Sequence, residues 1–178
     1  MPDIENEARQ GDRSVRSTLP PAARIGVLHI GARQTTVAFG DGFAAERTVT
    51  LTIGAQTIAD GYFEHVPATA LELENAIATV EDEIARARPS LPGDLALHTA
   101  DAPLCEIARL AGVAESATMI LSRDAVEQTF ERLAAVALGR PAARSGLPTG
   151  NEFAARLLIL REFMHHLQFT AITCHRGA

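Results

Sequence analysis

The chain has 178 residues, 47% of them hydrophobic, and a net charge of −6; all 16 of its basic residues are arginine. That length suits one domain with a sizeable core, and the acidic balance argues against a general nucleic-acid binder. The first twenty residues are too polar for a leader and no apolar run reaches the roughly 18 residues that span a bilayer, while Cys105 and Cys174 are too few for a disulfide framework and lack CxxC spacing, so a soluble protein of a reducing cytoplasm is expected.

Residues 1–22 carry many charges, few large apolar side chains and a Pro20-Pro21 stop, which predicts a flexible tail ahead of a domain over 23–178. Residues 24–41, RIGVLHIGARQTTVAFGD, read as a hairpin. Ile25, Val27, Leu28 and Ile30 run up to Gly31, and Thr35, Thr36, Val37 and Phe39 lead to a Gly40-Asp41-Gly42 turn. The alternation over 43–53 predicts a third strand. Over 69–88, Leu71, Leu73, Ala76, Ile77, Val80, Ile84 and Ala87 recur at helical spacing, with Thr69 as N-cap and Pro89 past the end.

A short strand is expected over 94–98 and a short helix over 102–111, closed by Gly112. Ser122 opens a helix over 124–138 whose Val126, Phe130, Leu133 and Val136 form one stripe. After a loop over 141–150, a helix over 152–167 buries Phe153, Leu157, Leu160, Phe163, Met164 and Leu167, and a last strand takes 170–174. The order βββ-α-β-α-α-α-β predicts an α/β fold: a single ribonuclease H-like domain with a mixed five-stranded sheet, helices on both faces, and the first, fourth and fifth strands parallel side by side.

In phosphate-handling hairpins of this shape, an acid at the strand end positions a metal or water, and successive glycines let backbone N–H groups approach phosphate oxygens. Here His29 stands at the acid position, and Gly31 is followed by Ala32 and Arg33. Several separated segments resemble the second half of the Ppx/GppA (exopolyphosphatase/guanosine pentaphosphatase) family of the actin-like ATPase superfamily. His29-Ile30-Gly31-Ala32-Arg33-Gln34-Thr35-Thr36 is similar to its DIGGGSTE, and Ile53-Gly54-Ala55-Gln56-Thr57 to its LGAVR. Leu121-Ser122-Arg123, Val126-Glu127 and Arg132-Leu133-Ala134 resemble its LSR-VE-RLA helix. Gly146-Leu147-Pro148, Leu158-Ile159-Leu160 and Cys174-His175-Arg176-Gly177 resemble its GLP, LIL and SDRG elements.

The departures fall on chemistry: His29, Thr36 and His175 replace acids, and His98-Thr99-Ala100-Asp101 replaces a glycine-threonine phosphate turn. The resemblance implies two readings. In the first, a non-catalytic domain binds a phosphorylated ligand, polyphosphate or a guanosine polyphosphate, or a protein partner, either a second copy or a complete Ppx/GppA protein. In the second, a divergent phosphohydrolase acts on those phosphates with Mg²⁺, Gly31, Arg33, Thr35, Thr36 and Thr99 hold phosphate, and Asp101 is the catalytic carboxylate. Imidazole is a poor Mg²⁺ ligand and threonine no base at neutral pH, which favours the first.

His29, His98 and His175 fall at the carboxyl ends of the first, fourth and fifth predicted strands, with Cys174 beside the last, and those ends converge on one crevice in such folds. A His-rich soft-metal site for zinc is one expectation, and polar replacements in an inactive cleft the other. Arg33 and Arg156 are candidate anion holders. His165 and His166 are adjacent on a helix and diverge by about 100°, so one is expected to pack and the other to face solvent. Glu72, Glu74, Glu81, Asp82 and Glu83 read as a solvated acidic face.

Overall fold

The computed structural model describes residues 4–20, 23–41 and 44–176. Strand β1 (Arg24–Ile30) pairs antiparallel with β2 (Thr35–Asp41), with Ile30 opposite Thr35 at the turn, and β3 (Arg47–Leu51) adds outside β2. Alternate side chains of a strand go to opposite faces. In β1, Leu28 and Ile30 enter the main core, whereas Ile25 and Val27 enter a second, smaller one. The hairpin therefore lies in a sheet covered on both sides.

Strands β4 (Ala96–Thr99) and β6 (Ala171–His175) continue the sheet, β4 parallel to β1 and β6 parallel to β4, in line with the expected parallel trio. The sheet has six strands rather than five, in the order β3-β2-β1-β4-β6-β5. The addition, β5 (Thr118–Ser122), pairs antiparallel with β6 and buries Met119 and Leu121 while Ile120 faces out. With only two inward apolar residues its period-2 signal was too short to stand out beside the helix cap at Ser122.

A larger difference lies at the start of the chain. The segment expected as a flexible tail contains helix α1 (Ile4–Ser17), which packs on β1, β2 and β4. Val15 is fully buried against Ile25 and Val27, forming the second core. The Arg16 Nε donates to Asp12 Oδ1 at 2.7 Å, the Arg16 Nη1 to the Gly40 carbonyl at 3.1 Å, and the Ala45 N–H to Asp12 Oδ2 at 3.2 Å. The charges that marked the segment as a tail are thus partly a buried pair holding the β2–β3 connection.

The opposite face carries α2 (Ala55–Tyr62), α3 (Ala70–Ala87), α4 (Ala102–Leu110), α5 (Arg123–Ala137) and α6 (Asn151–His166). Helix α3 opens on a full capping box, with the Thr69 hydroxyl accepting from the Glu72 N–H and the Glu72 carboxylate accepting from the Thr69 N–H. Gly112, at φ 88°, follows α4 as expected. Helix α6 lies among α2, α3 and α5 and buries residues almost all round, from Ala154 to Met164. No helix among the described residues is long and apolar enough to cross a membrane.

Candidate functional site

The strand ends carry the unusual chemistry. Because Leu97, Ile172 and Cys174 point into the main core, strand alternation turns His98 and His175 to the face that α1 covers, with His29 in the row of Ile25 and Val27. The His98 Nδ1 lies 2.9 Å from the His175 Nε2, and the rings stack with centroids 5.2 Å apart. The His175 Nδ1 is 3.5 Å from the Thr18 hydroxyl, at the end of α1. Burial, then the charges of His175 and Arg16, depresses the pKa of His98 to about 4, and burial depresses that of His175. Two neutral imidazoles sharing one proton between facing nitrogens satisfy this geometry.

His29 is turned elsewhere. Its Nδ1 lies 2.6 Å from Asp101 Oδ1, while Asp101 Oδ2 accepts from the Ile30 N–H at 2.9 Å and the Asp101 N–H donates to the Thr99 hydroxyl at 3.0 Å. The three histidines therefore form two separate pairings, and among the described residues they do not close around a single ion. Cys174 faces the main core, away from His175, and a hydrogen bond with Cys105 followed by burial pushes its thiol pKa up. The expected zinc set of His29, His98 and His175 is not assembled, because Asp101 draws His29 aside from the His98–His175 pair.

The hairpin turn differs as sharply from a phosphate cradle. The Gly31 N–H donates to the Gln34 carbonyl at 2.9 Å, so it is spent inside the turn. The Gly31 and Ala32 carbonyls accept from the Ala55, Gln56 and Thr57 N–H groups, and the Arg33 carbonyl accepts from the Thr57 hydroxyl at 3.2 Å. The loop thereby caps the start of α2 with its own carbonyls. Thr35, Thr36 and Thr99 are buried; the Thr35 hydroxyl donates to the Ile53 carbonyl at 2.8 Å, and Arg33 is exposed on the outside of the loop. Of the expected phosphate ligands Gly31, Arg33, Thr35, Thr36 and Thr99, Gly31 alone lines the cleft described next.

That cleft, about 430 Å³, is bounded by Gln10 and Gly11 of α1, by His29 to Ala32, by Ala100 to Pro103, and by Arg156 of α6. Arg156 Nε is buried with no hydrogen-bond partner, and burial lowers the pKa of this guanidinium, opposed by the charges of Glu152 and Asp101. A second hollow of about 290 Å³, holding Cys105, Arg109, Glu115, His175 and Arg176, lies on the other side of the turn before α4. The crevice is thus two hollows sharing Ala100 and Ala102 as a wall. Asp101, the N-cap residue of α4, makes no side-chain cap because its carboxylate is drawn to Ile30 and His29. Sequence reasoning missed the contribution of α1 and both side-chain pairings, and no local signal marks either.

Mg²⁺ does not fit this lining. The cation demands near-octahedral oxygen ligation. The described wall offers one carboxylate, Asp101, whose oxygens already meet an imidazole and a backbone N–H.

A parallel β1-β4-β6 centre, an antiparallel hairpin edge and a cleft at the carboxyl ends define a ribonuclease H-like α/β fold. No protein-family model matches the sequence, and no curated protein matches it. Solved structures do match it. The Ppx/GppA enzyme of Aquifex aeolicus superposes with a TM-score of 0.80 at 15% identity, over 97% of this chain and 60% of that one. An exopolyphosphatase-like protein gives 0.75 at 13% identity over 99% and 63%, and an exopolyphosphatase from Cytophaga hutchinsonii 0.69 at 14% over 97% and 59%. The chain has a Ppx/GppA-like fold and spans about 60% of the length of the structures it matches.

Proposed function

We propose that this domain binds a small polyanion in the Arg156 cleft and does not hydrolyse it. The observation that carries the reading is the buried Arg156 Nε lacking a partner in a cleft closed on its other side by the hairpin turn. A guanidinium in that state gains most from an oxyanion able to accept from its planar fork, and phosphate matches that fork. The fold likeness to Ppx/GppA proteins supports a phosphorylated ligand of the polyphosphate or guanosine polyphosphate kind. Against hydrolysis stand the missing acids and the engagement of Asp101 in the fold.

Calorimetric titration with tripolyphosphate, with and without Mg²⁺, tests the reading. Saturable binding is expected, weakened at least about tenfold in Arg156→Gln, with no phosphate release above the protein-free rate. Absence of binding at millimolar ligand, or an unchanged Arg156→Gln, overturns it.

The second reading, a divergent phosphohydrolase, draws on the His29–Asp101 pair, which has the form of an imidazole oriented by a carboxylate. Phosphate release lost in His29→Asn would establish it. A protein partner, a second copy or a complete Ppx/GppA protein, is proposed alongside, since the chain spans about 60% of the structures it matches; sedimentation at tens of micromolar decides the homodimer.

A further inference from the structure

Helix α6 carries one buried acid on an otherwise apolar wall. Glu162 is 2% exposed, one turn before His166 on the same face of the helix, with Glu81 of α3 opposite. The His166 Nε2 is 3.2 Å from Glu162 Oε2 and 3.2 Å from Glu81 Oε1, and all three donor atoms lie within 4.8 Å of one another. Among the described residues this is the group of three or more potential ligands that closes to such a range. It belongs to no part of the anion cleft.

The spacing has a meaning in coordination chemistry. Metal–ligand bonds of about 2.0–2.2 Å place neighbouring donor atoms roughly 3.0–3.5 Å apart around the ion. The 3.2 Å separations therefore suit an ion seated between the imidazole nitrogen and the two carboxylates, in place of the proton that would otherwise bridge them.

The orientation of Glu162 is set from behind. Arg161 binds its Oε1 and also donates to Glu127 Oε2 at 2.7 Å, leaving Oε2 directed at His166. A supporting contact of this kind orients a metal ligand and locks its rotamer. Glu162 and Glu81 both direct a carboxylate oxygen at His166 Nε2, so a cation between them relieves the crowding of two carboxylates. Glu81 and His166 are 45% and 37% exposed, which leaves an entry path and room for water in the remaining coordination positions.

We propose that Glu81, Glu162 and His166 form a binding site for a borderline divalent transition ion of the zinc class that ties α3 to α6. One nitrogen and two oxygens exclude the all-oxygen preference of Ca²⁺ and Mg²⁺ and lie within the range of Zn²⁺, Co²⁺ and Mn²⁺. His166 serves here while its neighbour His165 does not, since His165 points towards Glu127 of α5, 3.5 Å away.

The test uses the full untagged chain, with Co²⁺ as a visible probe and Zn²⁺ as competitor. Expected are a saturable Co²⁺ absorption band at a stoichiometry near one, bleached by Zn²⁺ but not by excess Mg²⁺, and a rise in thermal midpoint with Zn²⁺ concentration. His166→Gln and Glu81→Gln, both at exposed positions and so expected to fold, should each weaken binding at least about tenfold, with His165→Gln unchanged. No saturable uptake at about 1 mM of either ion, or uptake that His166→Gln and Glu81→Gln leave intact, overturns the proposal.

Discussion

At His98 the surroundings decide the cost of charge. The ring is 7% exposed and faces His175, with Arg16 close by, and every one of these influences opposes protonation. Its pKa of about 4 lies below the ordinary histidine value of 6.5, so the unfolded chain binds the proton more readily than the folded one between those values. The stabilisation from a neutral His98 is complete above about pH 6.5 and is lost as pH falls towards 4. Urea unfolding should show the wild type losing about 2 kcal/mol more between pH 7.5 and 5 than His98→Gln, whose amide keeps a donor for His175. Equal losses in the two proteins would show that His98 does not set the acid limb. That His29, His98 and His175 stand at strand ends was legible from periodicity alone. Which ring meets which partner was not, because side chains 72 or 77 residues apart in sequence are brought together only by strand order and rotamer.

At the scale of elements, local signals served well where they were complete. The Thr69 cap, the apolar stripe and the Glu72 return bond together specify the start of α3. The Ile53-Gly54-Ala55 segment was matched as a motif, yet its physical role emerges only against the hairpin. A Cβ on Gly54 would stand 2.4 Å from the Arg33 carbonyl carbon and 2.5 Å from the Ala32 oxygen, so only glycine lets the hairpin carbonyls reach the N–H groups of α2. Gly54→Ala is therefore expected to cost about 2–3 kcal/mol in urea unfolding, since backbone rather than a pliable side chain must move. Gly61→Ala serves as its control. Gly61 sits in the same helix with nothing within 4 Å of an added Cβ, and the change should stabilise by about 0.5–1 kcal/mol. A neutral Gly54→Ala would mean the loop can yield. Helix α6 is the opposite case: buried nearly all round, it presents no polar stripe, so Glu162 carries no local signal and His166 was legible only as one of two diverging histidines.

For the molecule as a whole, the decisive element is α1. Without it the sheet would show Ile25 and Val27 to water, along with the paired imidazoles of His98 and His175. The Asp12–Arg16 pair, whose side chains are 4% and 2% exposed, fastens α1 to the β2–β3 connection. Asp12→Ala removes the carboxylate shared by the buried Arg16 and the Ala45 N–H and is expected to cost about 3 kcal/mol in urea unfolding, with faster proteolysis within residues 1–20. A loss below about 0.5 kcal/mol would show that α1 contributes little to holding the sheet.

The amino-acid sequence by itself determined the hairpin, the long helices with their caps, the parallel strand trio and the replacement of acids at the strand ends. The hairpin and helices rest on period-2 and period-3.6 patterning and on cap chemistry, read within a dozen neighbouring residues, whereas the parallel trio follows from the order of the elements and the replaced acids from the resemblance to Ppx/GppA motifs. Tertiary structure alone decided that residues 4–17 form a docked helix, that Thr118–Ser122 completes the sheet, and that Asp101 turns to His29 and the Ile30 N–H. It alone brought Glu81 and Glu162 onto opposite sides of His166. Each of these depends on partners far apart in the chain, whose mutual burial and hydrogen bonding do not exist until the fold supplies them.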